Sequence, residues 1–230
     1  MPTRTSVTQL KELALEHGAE PDGTVYEPDS RRTSGIDDIA ELMFSPLHQK
    51  PAFMRDEGTK PANEIGTLYH LVMASLDLDR IKEDGVDAID GEISRLCNEN
   101  IIRSGDLNYI DISKIKQFFQ SDLATRLLNS MSVHREKPFQ INISARMYDP
   151  SLPPEYEAET VVLQGIIDCF FEEEDGFVLF DYKTDKVRDK AEIRSKYDKQ
   201  LTLYKSAIEK LTNKPVKESY LYLFDTNETI

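Results

Sequence analysis

The segment from Val161 to Thr184, VVLQGIIDCFFEEEDGFVLFDYKT, holds two carboxylates in an awkward setting. Asp168 interrupts an otherwise apolar run, and Asp181 sits near the end of the next one. A carboxylate buried in a strand is costly without compensation. Two on paired neighbouring strands repel, which raises the pKa of one of them. A divalent cation attracts both and removes the problem, and oxygen-rich sites of this kind suit Mg²⁺ or Mn²⁺. Lys183 lies two residues beyond Asp181, so in a strand both side chains leave the same face. A cation ligand beside a fixed positive charge serves phosphodiester hydrolysis. The metal acidifies the attacking water and neutralises the phosphate, and the lysine stabilises the added charge. The Asp-x-Lys spacing alone is met equally by a surface ion pair at a strand end. The strand-embedded Asp168, one hairpin away, shifts the reading toward chemistry.

These residues need elements to position them. The runs Val161–Phe171 and Phe177–Lys183 flank the charged turn Glu172-Glu173-Glu174-Asp175-Gly176, a strong antiparallel hairpin signal. Upstream, Phe139, Ile141, Ile143 and Ala145 alternate with polar residues between Pro138 and Met147, which predicts a strand, followed by a proline-containing loop from Asp149 to Tyr156. Helical spacing of Ile65, Leu68, Val72 and Leu76 predicts a helix over 64–77. Another helical region follows the N-cap Asp111, breaking at Ser121-Asp122 and resuming to about residue 129. A long helix over 190–211 carries Ile193, Tyr197, Leu201, Tyr204 and Ile208, and Ser219–Phe224 reads as a last strand. Near the N-terminus, His17–Gly35 reads as a loop and Ile36–Phe44 as a short helix stopped before Pro46. The order of elements predicts an α/β fold with a mixed central β-sheet flanked by α-helices. No linker divides it, so residues 1–230 are expected to form a single domain.

Gln164-Gly165-Ile166-Ile167-Asp168, followed by Asp181-Tyr182-Lys183-Thr184, resembles the PD-(D/E)XK nuclease core, most closely the nuclease domain of the AddA/RecB helicase–nuclease family. Gly66-Thr67-Leu68-Tyr69-His70 resembles that family's upstream helix motif. Gln200 and Tyr204 resemble its downstream Gln-x-x-x-Tyr helix, and Pro2–Leu10 resembles the junction where the AddA nuclease domain begins. The literal Pro-Asp of the family name is absent from Gly165–Asp168. The resemblance implies a restriction-endonuclease-like core and a nuclease using one or two Mg²⁺ ions. It implies His70, Asp168, Asp181 and the Tyr182 backbone carbonyl as metal ligands, with Lys183 activating water or stabilising phosphate. It further implies a single-stranded DNA end delivered by an upstream helicase domain, the 3′-terminated strand in AddA, and an AddB-type partner subunit.

Each of these residues also has a plainer account. His70 shares a helix stripe with Gly66 and lies beside the apolar stripe; alone it reads more readily as a satisfied core histidine. Gln200 and Tyr204, four apart, stack on one helix face. Gln200 either positions substrate or is a solvated neighbour of a core tyrosine. Glu136 is a weaker candidate for an outer position and ranks behind a surface charge.

Across the 230 residues, 28 Lys and Arg face 42 Asp and Glu, a formal net charge of −14. That sign argues mildly against nucleic acid, but the charge is uneven. No Lys or Arg occurs between Asp149 and Tyr182, whereas eleven basic residues face five acidic ones from Lys183 to Lys217. Phosphate binding follows local potential, so this segment could track a strand, or simply be a solvated amphipathic helix. Two cysteines, Cys97 and Cys169, are too few for an iron–sulfur cluster of the AddB type, a disulfide framework or a four-thiolate zinc site. No run approaches the ~18 apolar residues of a membrane span, and the first residues lack a signal-peptide core, so a cytoplasmic protein is expected. No Walker A sequence is present, so the chain is not itself the motor.

Two other classes compete with the nuclease. A catalytically silent nuclease-like scaffold, binding DNA or a partner protein, would be expected to have lost an acidic ligand or the lysine; all are present. A two-carboxylate glycoside hydrolase built on Asp168 and Asp181 has no use for Lys183 or His70, and the chain contains no tryptophan to stack sugars.

Overall fold

The structure is a computed structural model and describes residues 60–230. The expected loop 17–35, the expected helix 36–44 and the junction-like segment Pro2–Leu10 lie outside the described residues. Among those described, the chain packs as two compact units, one of residues 60–138 with 166–230 and one containing 139–165.

The larger unit opens with helix α1 (Ala62–Ser75), which buries Leu68, Tyr69, Val72 and Met73. Asp77 then caps α2 (Leu78–Asp84), its carboxylate accepting from the Asp79 and Arg80 amides, and α3 (Ala88–Asn98) follows with Ile89, Ile93 and Leu96 buried. Neither helix stands out in the sequence, because the acid-rich stretch between Asp77 and Glu92 hides a short apolar stripe. Helices α4 (Ile112–Phe119) and α5 (Asp122–Asn129) divide where expected. Asp111 accepts from the Ser113 amide, and Ser121 Oγ accepts from the Ala124 amide, so the second cap ends one helix and starts the next.

The sheet follows in the order β1 (Val133–Ser144), β2 (Thr160–Glu173), β3 (Gly176–Lys183), β4 (Val216–Leu223) and β5 (Glu228–Thr229). β2 and β3 form the expected antiparallel hairpin, and β3 and β4 run parallel, joined by the long helix. The sheet is therefore mixed, as predicted. Strand β1 starts five residues earlier than the alternation suggests, at Val133 rather than Pro138. It also stops sooner. In the smaller unit, residues 145–147 were expected in the strand but begin a helical turn, α6 (Ala145–Tyr148). Ser144 Oγ accepts from the Met147 amide, and that local cap outweighs an alternation that carries only Ala at its last inward position. A 3₁₀ turn, Pro154–Ala158, completes the loop before β2.

β3 is buried along nearly its whole length, as befits a central strand covered on both faces. Its alternate residues Phe180 and Tyr182 pack their rings against Phe118 of α4, at centroid distances of 5.9 and 5.5 Å. Asp181 and Lys183, out of phase with them, turn toward the other face. There stands α7 (Lys190–Thr212), burying Ile193, Tyr197, Gln200, Leu201, Leu203, Tyr204, Ala207 and Ile208. Among the described residues, no helix is long and apolar enough to cross a membrane.

The hairpin depends on one glycine. Gly176 adopts φ +147°, and a Cβ there would stand 2.6 Å from the Pro215 carbonyl oxygen, where β4 begins. Gly176→Ala is expected to cost ~1–3 kcal/mol or more in a urea titration. Gly105→Ala, whose Cβ meets nothing within 4 Å, should stay within about 0.5 kcal/mol of the parent.

Candidate active site

The hairpin register pairs Cys169 with Phe180, so Asp168 and Asp181 stand opposite each other one step further along. Opposed residues in an antiparallel pair share a face. The two carboxylates that the sequence marks out therefore meet. Asp168 is 7% exposed and Asp181 is 1% exposed. Asp168 Oδ2 accepts from the Tyr182 amide at 3.0 Å, a side-chain bond where the strand ladder gives way.

Helix α1 brings His70 to the same place. Its Nδ1 is 3.3 Å from Asp168 Oδ1 and 3.6 Å from Glu136 Oε1, and its Nε2 is 3.1 Å from the Tyr182 carbonyl oxygen. The helix is held in register by Tyr69, whose hydroxyl accepts from the Asp111 amide at 2.9 Å. Gly66, one turn before His70, lets the helix approach the strand end: a Cβ there would be 3.2 Å from Thr184 Oγ1. The missing side chain thus leaves room beside the sheet.

Glu136 is the residue whose place the sequence understates. It lies in β1 with φ +45°, a left-handed conformation that costs a non-glycine residue ~1–2 kcal/mol. Its carboxylate reaches His70 rather than staying a detached surface charge. His70, Glu136 and Asp168 offer ligand atoms that all lie within 4.8 Å of one another, a group able to hold a metal ion. Asp181 falls outside that trio and joins the site through Asp168, opposite it, and through Lys183. No pattern in the local sequence announces the positive φ that turns Glu136 inward.

Lys183 Nζ is 2.6 Å from Asp181 Oδ2 and 3.3 Å from Gln200 Oε1, and Gln200 Nε2 donates to the Tyr204 hydroxyl at 2.9 Å. Gln200 is 6% exposed, so it is no solvated neighbour of Tyr204 but a link between that tyrosine and the lysine. The Lys183 ammonium also stands 4.2 Å from the centroid of the Tyr197 ring. The sequence places Tyr197 on the buried stripe of α7, three residues before Gln200, and gives no sign of that contact. The structure thus gathers His70, Asp168, Asp181, Tyr182, Lys183, Gln200 and Tyr204 and adds Glu136 and Tyr197.

The electrostatics are unbalanced. Burial raises the Asp181 carboxyl pKa and the neighbouring Asp168 charge raises it further, more than Lys183 offsets. Burial acts the same way on Asp168, but the His70 charge, Lys183 and the Tyr182 amide outweigh it and hold its pKa low. His70 and Lys183 both resist loss of their protons because the facing carboxylates overcome the cost of burial. Among the described residues, the buried charged or polar side chains are Glu92, Asp168, Asp181 and Gln200. Glu92 shows what full compensation looks like: Arg95 at 2.7 Å, Arg80 at 3.1 Å and the Asp77 amide at 3.1 Å surround it. Asp181 differs. Neither of its oxygens receives a hydrogen bond of good geometry, and the close Lys183 ammonium acts on it as an ion pair alone. A divalent cation fits such a donor set of carboxylates, imidazole and a backbone carbonyl.

Comparison with known proteins follows the same lines. The chain is 38% identical over 227 residues to the A-type subunit of an ATP-dependent helicase/nuclease from Thermoanaerobacter sp. (strain X514), covering 97% of this chain and 17% of that one. It is 40% identical over 192 residues to the protein of the same name from Clostridium botulinum (strain Hall / ATCC 3502 / NCTC 13319 / Type A), covering 83% and 15% respectively. The chain thus spans about a sixth of the length of these curated relatives. Residues 45–229 match the model of the PD-(D/E)XK nuclease superfamily, and the mixed five-stranded sheet with flanking helices is consistent with that family's fold. With the match covering most of the chain and the acidic pair, lysine and histidine gathered in one place, this chain belongs to the PD-(D/E)XK nuclease superfamily.

Proposed function

We propose that the chain acts as one metal-dependent DNA nuclease domain of a helicase–nuclease, hydrolysing phosphodiester bonds of single-stranded DNA during break processing and recombinational repair. The observation that carries this reading is the buried Asp181, its Oδ1 without a hydrogen-bond partner and its Oδ2 met by the Lys183 ammonium, beside Asp168, His70 and Glu136. His70, Asp168, Asp181 and the Tyr182 carbonyl would hold Mg²⁺ or Mn²⁺, with Glu136 at the edge of the set. When bound, such an ion supplies a more acidic water and neutralises phosphate charge.

The protein's own groups divide the remaining work. Lys183, charged and directed by Asp181 and Gln200, faces the negative charge that builds on the phosphate. Tyr204 fixes the Gln200 amide so that its oxygen is the one offered to the lysine. Asp168, tied to the Tyr182 amide, keeps the two strands' ends together beneath the site.

The names of the relatives support an upstream helicase as the source of the strand, and with it an AddB-type partner. The basic segment after Lys183 gives the site less positive charge than its composition promises. Lys190 pairs with Glu228, Arg194 with Asp198, Lys196 with Asp185, Lys205 with Glu209, Lys214 with Glu172, and Lys217 with Glu173 and Asp175. A domain so neutralised suits a strand fed to it by a motor better than one it must capture alone.

Digestion of single- and double-stranded oligonucleotides with and without EDTA tests the reading. Cleavage should need Mg²⁺ or Mn²⁺, favour single strands, and fall by at least ~100-fold in Asp181→Ala and in Lys183→Ala with far-ultraviolet circular dichroism unchanged. Metal-dependent nicking that persists in Asp181→Ala would reject the assignment. A second measurement is thermodynamic. Mn²⁺ at ~100 times its Kd should stabilise the parent by about 2.7 kcal/mol in thermal or urea unfolding, and should leave Asp181→Ala nearly unmoved. Binding without any cleavage would point to a silent scaffold instead.

A further inference from the structure

The end of β3 and helix α7 are clasped at several points, and Lys183 is only one of them. Tyr197 is 4% exposed, with its ring face under the Lys183 ammonium at 4.2 Å. Its hydroxyl donates to Asp185, 3.1 Å from Oδ1 and 3.0 Å from Oδ2, and Asp185 lies two residues beyond Lys183. Lys196, next to Tyr197 on α7, closes the loop with its ammonium 3.0 Å from Asp185 Oδ1. Tyr197, Gln200 and Tyr204 follow one another at intervals of three and four residues, so one helix face holds both groups that touch Lys183 and the tyrosine that braces Gln200.

The chemistry of the site explains why a ring would be useful there. Lys183 leans on Asp181 Oδ2, yet Asp181 is also a buried carboxylate whose Oδ1 has no hydrogen-bond partner and fits a cation. A carboxylate shared with a divalent ion attracts an ammonium less strongly. The face of an aromatic ring attracts the ammonium through its quadrupole and brings no negative charge that a metal could claim. Asp185, with its charge met by Lys196, prevents the ring from swinging away.

We infer that Tyr197 is a positioning residue for Lys183, its ring holding the ammonium in place when Asp181 is engaged elsewhere, with Asp185 as its anchor. This rests on the reading of Lys183 as the ammonium that faces the phosphate.

The test compares Tyr197→Leu, Tyr197→Met and Tyr197→Phe with the parent chain in steady-state cleavage of a single-stranded oligonucleotide. Loss of the ring in Leu or Met should lower kcat ~10-fold while KM for DNA moves less than about twofold. The Phe variant keeps the ring face and should retain at least about a third of the parent kcat. Methionine fills much of the same volume, and melting temperatures of all three variants identify any that fail to fold. A second readout needs no turnover: acylation by acetic anhydride, followed by peptide mass spectrometry. Lys183 should be protected in the parent and Phe proteins and labelled several-fold faster in the ring-less ones. Parent-like kcat and parent-like protection in a folded Leu or Met variant would overturn the inference. So would a Phe variant that loses as much kcat as Leu. If the parent itself shows no metal-dependent cleavage, the proposed nuclease function fails, and the labelling still decides whether Tyr197 holds Lys183.

Discussion

Two carboxylates facing each other across a buried strand pair are the constraint around which this molecule is organised. Asp168 and Asp181 cannot both carry charge cheaply at that depth. The fold does not hide the problem by separating them. It brings a histidine, a lysine and a third carboxylate to the same spot, and leaves Asp181 Oδ1 without a hydrogen-bond partner. Glu92, by contrast, is compensated by two arginines and a backbone amide. The difference between these two buried acids is one of surroundings, since Asp181 is met by one lysine.

The surrounding elements are arranged to keep that conflict in place. Gly66 brings α1 against the strand end, Tyr69 pins the helix to the start of α4, and His70 follows from both. On the same side of β3 as α1, the rings of Phe118, Phe180 and Tyr182 join the buried residues of that helix in the core against which the strand is pressed. Because side chains alternate along a strand, the same β3 presents aromatic residues to one layer and Asp181 and Lys183 to the other. Helix α7 then closes the polar side with Gln200, Tyr204 and Tyr197. Aromatic packing and the buried ion pair are thus assigned to opposite faces of one central strand.

Charge tells a similar story at larger scale. The positive run after Lys183 looks like a track for nucleic acid when counted along the chain. Folding brings Glu172, Glu173, Glu218 and Glu228 against it, or against the arginine of α5, and much of the apparent field is cancelled. A linear count of charges cannot see partners that lie in other strands.

What could be read along the chain was whatever depends on near neighbours. The hairpin 161–183 follows from apolar runs around a charged turn, the break at Ser121 from capping chemistry, and the shared face of Asp181 and Lys183 from a period of two. The motif residues His70, Gln200 and Tyr204 were legible as a resemblance, and the fold class with them. Other features depended on distant segments meeting. Glu136 became part of the site through a backbone angle that no local pattern encodes, and Tyr197 became a seat for Lys183 only because α7 lies against β3. Residues 145–147 left the strand because a serine cap competed with a weak alternation. Periodicity and capping act over a few residues and leave a trace in sequence, whereas approach between elements is set by how whole layers pack, and that is where this site acquired its third carboxylate and its ring.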